Sequence, residues 1–406
     1  MTDTPDTDVV IAGAGPVGLA LSLMLGLAGV RSQLVEPRAH MTPRDESRAI
    51  TWMPEGLLAA DAMGVTDALR ARSVVRNYHE FRAGPRQSAL VTLDMAHLKH
   101  PHPYTLNLPQ GDTEQVLESA ALATGAVTIH RGCRVASVAE SSQGVTATVT
   151  DSAGASQWGI SARFGVGCDG AASTRHGVAA LLGIGSRFRD YGADSVVADV
   201  EYAADPAPSN RSWIALEAGR PLGAFCFGDR RWRLVYRMNT GETAEMVTAP
   251  HFVADQSTRA FSAATIVRHL WASSFRLGQG QASAYWRGRW SLAGDAAHAM
   301  GPSAGAGMQL GVLGAWRLAA ELEAALENDT GWPRRAAAYE TGQRRAAMAV
   351  QRSNARIFRS MAITSRPLSA LRAAGLRGAG TVPAVVRRLT AEAALVGLAP
   401  TPPGDG

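Results

Sequence analysis

Three groups of residues in this chain have types and spacings that suit chemistry. The first is Gly13-Ala-Gly15-Pro-Val-Gly18. In a G-x-G-x-x-G turn the first glycine permits a tight reversal. The second lets a pyrophosphate approach the backbone, and the third lets helix and strand pack closely. Glu36 follows 18 residues after Gly18, where an acid can accept hydrogen bonds from ribose hydroxyls. The implied chemistry is dinucleotide binding, and this motif alone does not separate FAD from NAD. The second group is Gly165-Val-Gly-Cys-Asp169-Gly170-Ala-Ala-Ser173-Thr-Arg175. The third is Gly294-Asp295-Ala-Ala-His298-Ala-Met-Gly-Pro302-Ser-Ala-Gly305-Ala-Gly307-Met308-Gln309. Its glycine-rich run leads into a helix from about Gln309, whose free N–H groups and dipole favour an electron-rich ligand edge.

The elements that must position these groups follow from periodicity. Asp8–Gly13 is a short apolar run bounded by glycine, which predicts a buried parallel strand. Val17–Ala28 predicts a helix and Gln33–Glu36 a second strand. The pyrophosphate would sit on the positive end of that helix. A single helix is predicted over Glu55–Arg72, another over Thr113–Ala123, and hairpins over Val127–Cys168. Residues 186–285 alternate like strands and are rich in Trp, Phe and Arg. After Gly311 the chain predicts helices to about Leu395, broken near Gly331, Pro367 and Gly378–Gly380. No linker separates consecutive domains, so a second domain should be inserted into the first.

Together the three motifs resemble those of single-component FAD-dependent aromatic monooxygenases with the p-hydroxybenzoate hydroxylase fold. The resemblance covers essentially the whole chain, in order. It implies an α/β fold: a Rossmann-type FAD-binding domain, an inserted mixed β-sheet substrate domain and a C-terminal helical segment. The expected divisions are 1–75, 105–185 and 286–330 for FAD, 76–104 and 186–285 for substrate, 331–398 for the helices and 399–406 for a disordered tail. FAD would contact Gly13, Gly15, Gly18, Glu36, Arg48, Gln110, Asp169, Asp295, Pro302, Gly305, Gly307, Met308 and Gln309. Asp295 would hold a ribityl hydroxyl. Arg48 matches the arginine that reaches the pyrophosphate or the flavin rim, and Pro302 matches a residue near the flavin's reactive edge. These two are the catalytic candidates. Asp169 would be structural while coupling FAD and nicotinamide binding, with Arg175 supporting its loop. His298 reads as a brace for the Gly-Asp turn. The chain departs from the family at Gln309, often Asn, and at Gly314, often Asp.

By the same resemblance, NADPH or NADH reduces the flavin, crossing a surface groove transiently, with no dedicated nicotinamide Rossmann domain in the chain. O2 then yields a C4a-hydroperoxide that hydroxylates or epoxidises an aromatic or polyketide-like small molecule. A reductase or dehydrogenase on the same fold without oxygen insertion is the alternative, and a non-catalytic binding protein the third. No catalytic base is identifiable; Tyr104, Tyr191, Tyr236 and Tyr285 are candidates by type. Trp213, Phe225, Phe227 and Trp232 suit either a flat substrate or a packed sheet core.

Composition narrows the classes. The chain has 406 residues, 46% hydrophobic and 18% charged, which suits a large packed core rather than disorder. Three cysteines without zinc or disulfide spacing point to a reducing, cytoplasmic setting. No membrane span, metal site or nucleic-acid site is expected; His97, His100 and His102 read as an exposed loop. Lys99 is the sole lysine among 40 basic residues. Residues 331–397 hold twelve arginines against Glu340 and Glu392, so the rest of the chain is net acidic. Those arginines suit bracing of the FAD domain, or docking of an acidic carrier protein.

Overall fold

The computed structural model describes residues 5–46, 48–301 and 305–399. It has the α/β class expected. β1 (Thr7–Ala12) leads through α1 (Pro16–Leu27) to β2 (Ser32–Glu36). α1 is buried from Gly18 to Gly26, as a helix apolar all round must be. β1 lies parallel between β2 and the strand Gln157–Gly167, which pairs in parallel with Trp290–Leu292. Ala12 pairs with Gly167, and Gly167 with Leu292. Three parallel strands therefore end in one row, each running into one of the three glycine-bearing motifs.

A second sheet has seven strands, in the order Ile266–Ala282, Ser186–Tyr202, Arg231–Arg237, Leu222–Gly228, Arg211–Ala215, Tyr78–Arg82 and Ala89–Asp94. One face packs on the helices Ala244–Thr248 and Pro250–Ala260. Trp213 and Trp232 belong to that core, edge-on to Phe261 at 5.8 and 5.2 Å. Alternation puts Phe225 and Phe227 on the opposite face. The four aromatics thus divide between the two faces of the sheet, with Phe227 fully buried on its own side. A small sheet of Thr51–Trp52, Thr105–Asn107 and Val74–Arg76 lies between the large ones. Asn107 Nδ2 ties it to the second sheet by donating to Cys226 O at 2.8 Å.

Several local expectations shift. The single helix expected over 55–72 is two, Pro54–Ala62 and Thr66–Arg70, because Gly64 turns left-handed at φ +68°. The next helix starts three residues early, at Gln110, directly after Pro109. The C-terminal helices are Gly307–Glu327, Trp332–Met361, Arg366–Gly380 and Pro383–Ala393, so the break expected at Gly378–Gly380 falls just after it. The expected disordered tail starts with an ordered residue: buried Glu55 accepts from the amides of Gly397 and Ala399, both at 2.8 Å. Residues 400–406 lie outside the described residues. Among the described residues no helix is long and apolar enough to cross a membrane.

The first turn holds the closest approach of a glycine to backbone among the described residues. A Cβ on Gly18 would stand 2.0 Å from Gly13 O. Backbone cannot yield as a side-chain tip can. Gly18→Ala should therefore cost about 3 kcal/mol, measured as a lower urea midpoint of the FAD-free protein; an unchanged midpoint would contradict this packing.

Candidate functional site

The first motif makes an open helix start. Gly13 sits at φ +103°, and a Cβ there would lie 2.5 Å from Cys168 O. Gly13 N donates to Val35 O at 2.8 Å, and Cys168 N to Ala12 O at 2.7 Å. Gly15 caps α1 without a side-chain hydrogen bond. Its missing Cβ would meet nothing within 4 Å. The first amides of α1 therefore face open space, which suits an anion. Glu36 borders this space. Its Oε2 accepts from Ala14 N at 2.8 Å and its Oε1 from Arg38 N at 3.0 Å.

Asp169 follows the strand beside β1. Its Oδ2 accepts from Val178 N at 2.7 Å. A Cβ on Gly177 would collide with that oxygen at 1.8 Å. Burial raises its carboxyl above the ordinary range, against the pull of bonds from Ser173 and Val178. Its Oδ1 is buried without a partner among the described residues. Arg175 is exposed.

The third motif adds a carboxylate and a second helix start. Asp295 lies in the short turn Gly294–Ala296. Its Oδ1 is 3.8 Å from where a Cβ of Gly307 would be, beside the first residue of the helix Gly307–Glu327. That helix also lacks a side-chain cap. Asp295 is partly exposed, yet enclosure by protein raises its carboxyl to about 6, while the Arg48 charge pulls it down. Gly305 turns left-handed at φ +66° just before the helix. Met308 packs on the main core. Pro302 lies outside the described residues.

Arg48 is largely exposed, with its guanidinium 3.8 Å from Glu46. Its loop is held from both sides. Gln110 Oε1 accepts from Ala49 N at 3.0 Å, while Gln110 Nε2 donates to Glu114 at 2.8 Å. From the second sheet, Arg233 Nη1 donates to Arg48 O at 3.0 Å. Arg233 is itself fixed by two 2.8 Å bonds to buried Asp199. This tie carried no sequence signal, since Arg48 and Arg233 are 185 residues apart.

Gln309 is placed inward. It is fully buried, donates to Thr51 O at 2.7 Å and accepts from Met53 N at 3.3 Å. Glycine at 56 makes the room, since a Cβ there would stand 1.7 Å from its Oε1. Gln309 therefore acts through the Thr51–Met53 backbone. Gly314 has a similar reason. A Cβ there would lie 2.6 Å from Gln343 Nε2, which donates to Leu310 O and to His298 Nε2, both at 2.9 Å. Burial lowers His298 to about 4, so it stays neutral and braces the turn. The tyrosines are engaged: Tyr236 donates to Val247 O at 2.6 Å, Tyr285 to Gln281, Tyr191 to Gln279, and Tyr104 pairs with His102 at 3.1 Å. Burial raises Tyr191, Tyr236 and Tyr285, so none of those three is poised to ionise.

Two bare helix starts and an acid, gathered where parallel strands end, define a flavin-type dinucleotide-binding site facing a separate sheet. The chain belongs to the FAD binding domain family, whose profile matches residues 6–354. It is 30% identical to a 3-(3-hydroxy-phenyl)propionate/3-hydroxycinnamic acid hydroxylase of Mycolicibacterium smegmatis, over 94% of this chain and 66% of that one. It is 31% identical to a 12-dehydrotetracycline 5-monooxygenase/anhydrotetracycline 6-monooxygenase of Streptomyces rimosus, over 85% of this chain and 68% of that one. The chain thus spans about two thirds of these relatives' length. The structure of p-nitrophenol 4-monooxygenase PnpA from Pseudomonas putida DLL-E4 superposes with a TM-score of 0.85, at 24% identity, over 96% of this chain and 98% of that one; it shares the fold.

The raised Asp295 carboxyl has a consequence for stability. With a folded value of about 6 against the ordinary 3.8, the folded state binds the extra proton between those pH values, so stability falls as pH rises from about 4 to 6. Asp295→Asn should remove that loss. In the FAD-free protein its stability advantage over wild type should grow from about pH 4 to 6 and level off above, reaching at most about 3 kcal/mol. A constant difference across that range, by urea unfolding, would contradict the assignment.

Proposed function

We propose that this protein is an FAD-dependent monooxygenase that uses NADPH or NADH and O2 to hydroxylate or epoxidise an aromatic or polyketide-like small molecule. The observation that carries the reading is Asp295 beside the uncapped start of the helix Gly307–Glu327, under the influence of Arg48. The residues present fit FAD. The amides at Gly15 have open room where a Cβ would stand, and that helix start suits the pyrophosphate. Glu36 borders the same space and suits a ribose. Asp295 suits a ribityl hydroxyl, and the N–H groups from Gly305 to Met308 suit the electron-rich edge of the ring. Bound FAD supplies electron transfer from the nicotinamide and activation of O2.

The chain's own groups supply placement and electrostatics. The dipole of the helix Gly307–Glu327 favours negative charge at its start. Arg233 and Gln110 hold the Arg48 loop across the domain boundary. The second sheet's other face, bearing buried Phe227 and partly buried Phe225, closes the far side and excludes water. The basic C-terminal helices brace the fold, as in the bonds from Arg344 to Glu340 and Ala282 O; docking of an acidic carrier protein is a further role for their exposed arginines.

Purified protein should carry a flavin spectrum, and NADPH or NADH should drive oxygen uptake that phenols, quinols or unsaturated polyketides stimulate. Flavin reduction with no substrate-stimulated oxygen uptake across such a panel would favour the reductase. Gly15→Val separates ligand binding from folding, because a Cβ at that position meets no protein atom within 4 Å beyond its chain neighbours. It should fold normally and lose FAD affinity at least about tenfold, a barrier of ~1.4 kcal/mol or more. Undiminished FAD content in that variant would refute the placement of the pyrophosphate.

A further inference from the structure

The last two helices are held to the protein on one side only. No residue of the helix Arg366–Gly380 is buried, and in Pro383–Ala393 only Thr390 is. Their inner side is fixed. Half-buried Arg372 donates to the backbone carbonyls of Leu216 and Ser360. A Cβ on Gly380 would stand 2.8 Å from Leu90 O, so the pair rests on the edge strand Ala89–Asp94. Glu392 closes the far end by accepting from Ser353 and Arg356.

The outer side is aliphatic where a solvated helix would be polar. Leu371 is 70% exposed and Leu368 55%. Exposed Pro367, Leu371 and Ala374 recur at helical spacing and form one stripe. Val382 and Val385 are exposed at the start of the next helix. Arg366 and Arg377 are about three helical turns apart, along one margin of the stripe. Arg387 and Arg388 follow Val385. All four arginines are exposed, and none has a hydrogen-bond or ion-pair partner among the described residues. From 341 to 391 the chain has ten arginines and no lysine, aspartate or glutamate.

We propose that this pair of helices docks the protein on an anionic lipid surface. The leucines and valines enter the boundary between headgroups and acyl chains, and the arginines meet lipid phosphates. The contact lies on the bilayer and does not span it. It is independent of the monooxygenase reading. Other occupants fit less well. A second copy would meet the patch with the same patch across a twofold axis, arginine against arginine with no acid between them. A protein partner would find no Trp, Tyr or Phe in residues 362–393, and aromatic side chains are the usual anchors of such interfaces. A nucleic acid would find no ring to stack on and would leave the leucines in water. An anionic bilayer takes both the charge and the aliphatic stripe.

The test is co-sedimentation of the full chain, with FAD added, with vesicles of phosphatidylcholine alone or mixed with phosphatidylglycerol. The mixed vesicles should bind at least about tenfold tighter, and raising salt from about 0.05 to 0.5 M should weaken that binding at least about tenfold. Leu368→Gln with Leu371→Gln, and separately Arg387→Gln with Arg388→Gln, should each weaken it about tenfold. Both pairs should keep wild-type circular dichroism and FAD content, because none of these residues is buried. Arg334→Gln with Arg345→Gln removes the same charge from exposed positions on the helix Trp332–Met361, and should leave binding within about twofold. An equal loss in that pair would reduce the effect to net charge and overturn the proposal. Equal binding to the two vesicles, no binding to either, or undiminished binding in the leucine or the arginine pair would overturn it too. So would a dimer in sedimentation velocity that the leucine pair dissociates, since the face would then belong to a second copy.

Discussion

Everything at this site depends on three parallel strands ending in the same row. Ala12, Gly167 and Leu292 lie side by side, and each strand then runs directly into a turn that only glycine tolerates. The constraint is one of backbone approach. Gly13 faces Cys168 O, Gly18 faces Gly13 O, and Gly294 turns at φ +61° against Val17. With side chains at these points the turns would separate by ångströms. With glycine they close, and two helix starts without side-chain caps open on the same end of the sheet. A ligand with a negative middle and an electron-rich ring edge fits such an arrangement, because the partial charges are fixed in the backbone before it arrives.

The second sheet meets this end through a few polar ties of long sequence separation. Arg233, fixed by Asp199, reaches the carbonyl of Arg48. Asp45 in the same loop faces Arg231 and Arg268 at 3.9 and 3.6 Å. Asn107 joins the small sheet to Cys226, and its Oδ1 accepts from Thr51 Oγ1 at 2.9 Å. Gln309 holds the neighbouring Thr51 and Met53 backbone. A set of hydrogen bonds therefore runs from the helix Gly307–Glu327 through Thr51 and Asn107 to the Cys226 carbonyl in the second sheet. The Arg233–Asp199 pair is buried and bidentate. Such pairs contribute geometric specificity more than net stability, which suits a tie that sets where one loop lies.

What can be read from the sequence is what is local. The glycine turns and the acid at 295 are legible because strand, turn and helix follow one another within about twenty residues. The β-rich block after residue 186 is legible from alternation. The inward placement of Gln309 is not, since its partners are more than 250 residues away. Nor is the reason for glycine at 314, which is the Gln343 amide approaching from a later helix. Trp213, Phe225, Phe227 and Trp232 look alike in sequence; strand register alone sends two into the core under the helices and two to the opposite face. The arginine excess divides similarly. Arg344 and Arg356 pair with the two acids of the C-terminal segment, Glu340 and Glu392, and Arg372 reaches backbone carbonyls of Ser360 and Leu216. Many of these arginines are therefore structural cross-braces.

The most direct measurement is a crystal structure of the full chain grown with FAD. The expected arrangement puts the pyrophosphate against the amides at Gly15, the ribityl chain at Asp295 and the flavin ring along Gly305–Met308, one face turned to the second sheet. A flavin bound elsewhere, or a pyrophosphate away from the start of α1, would contradict it.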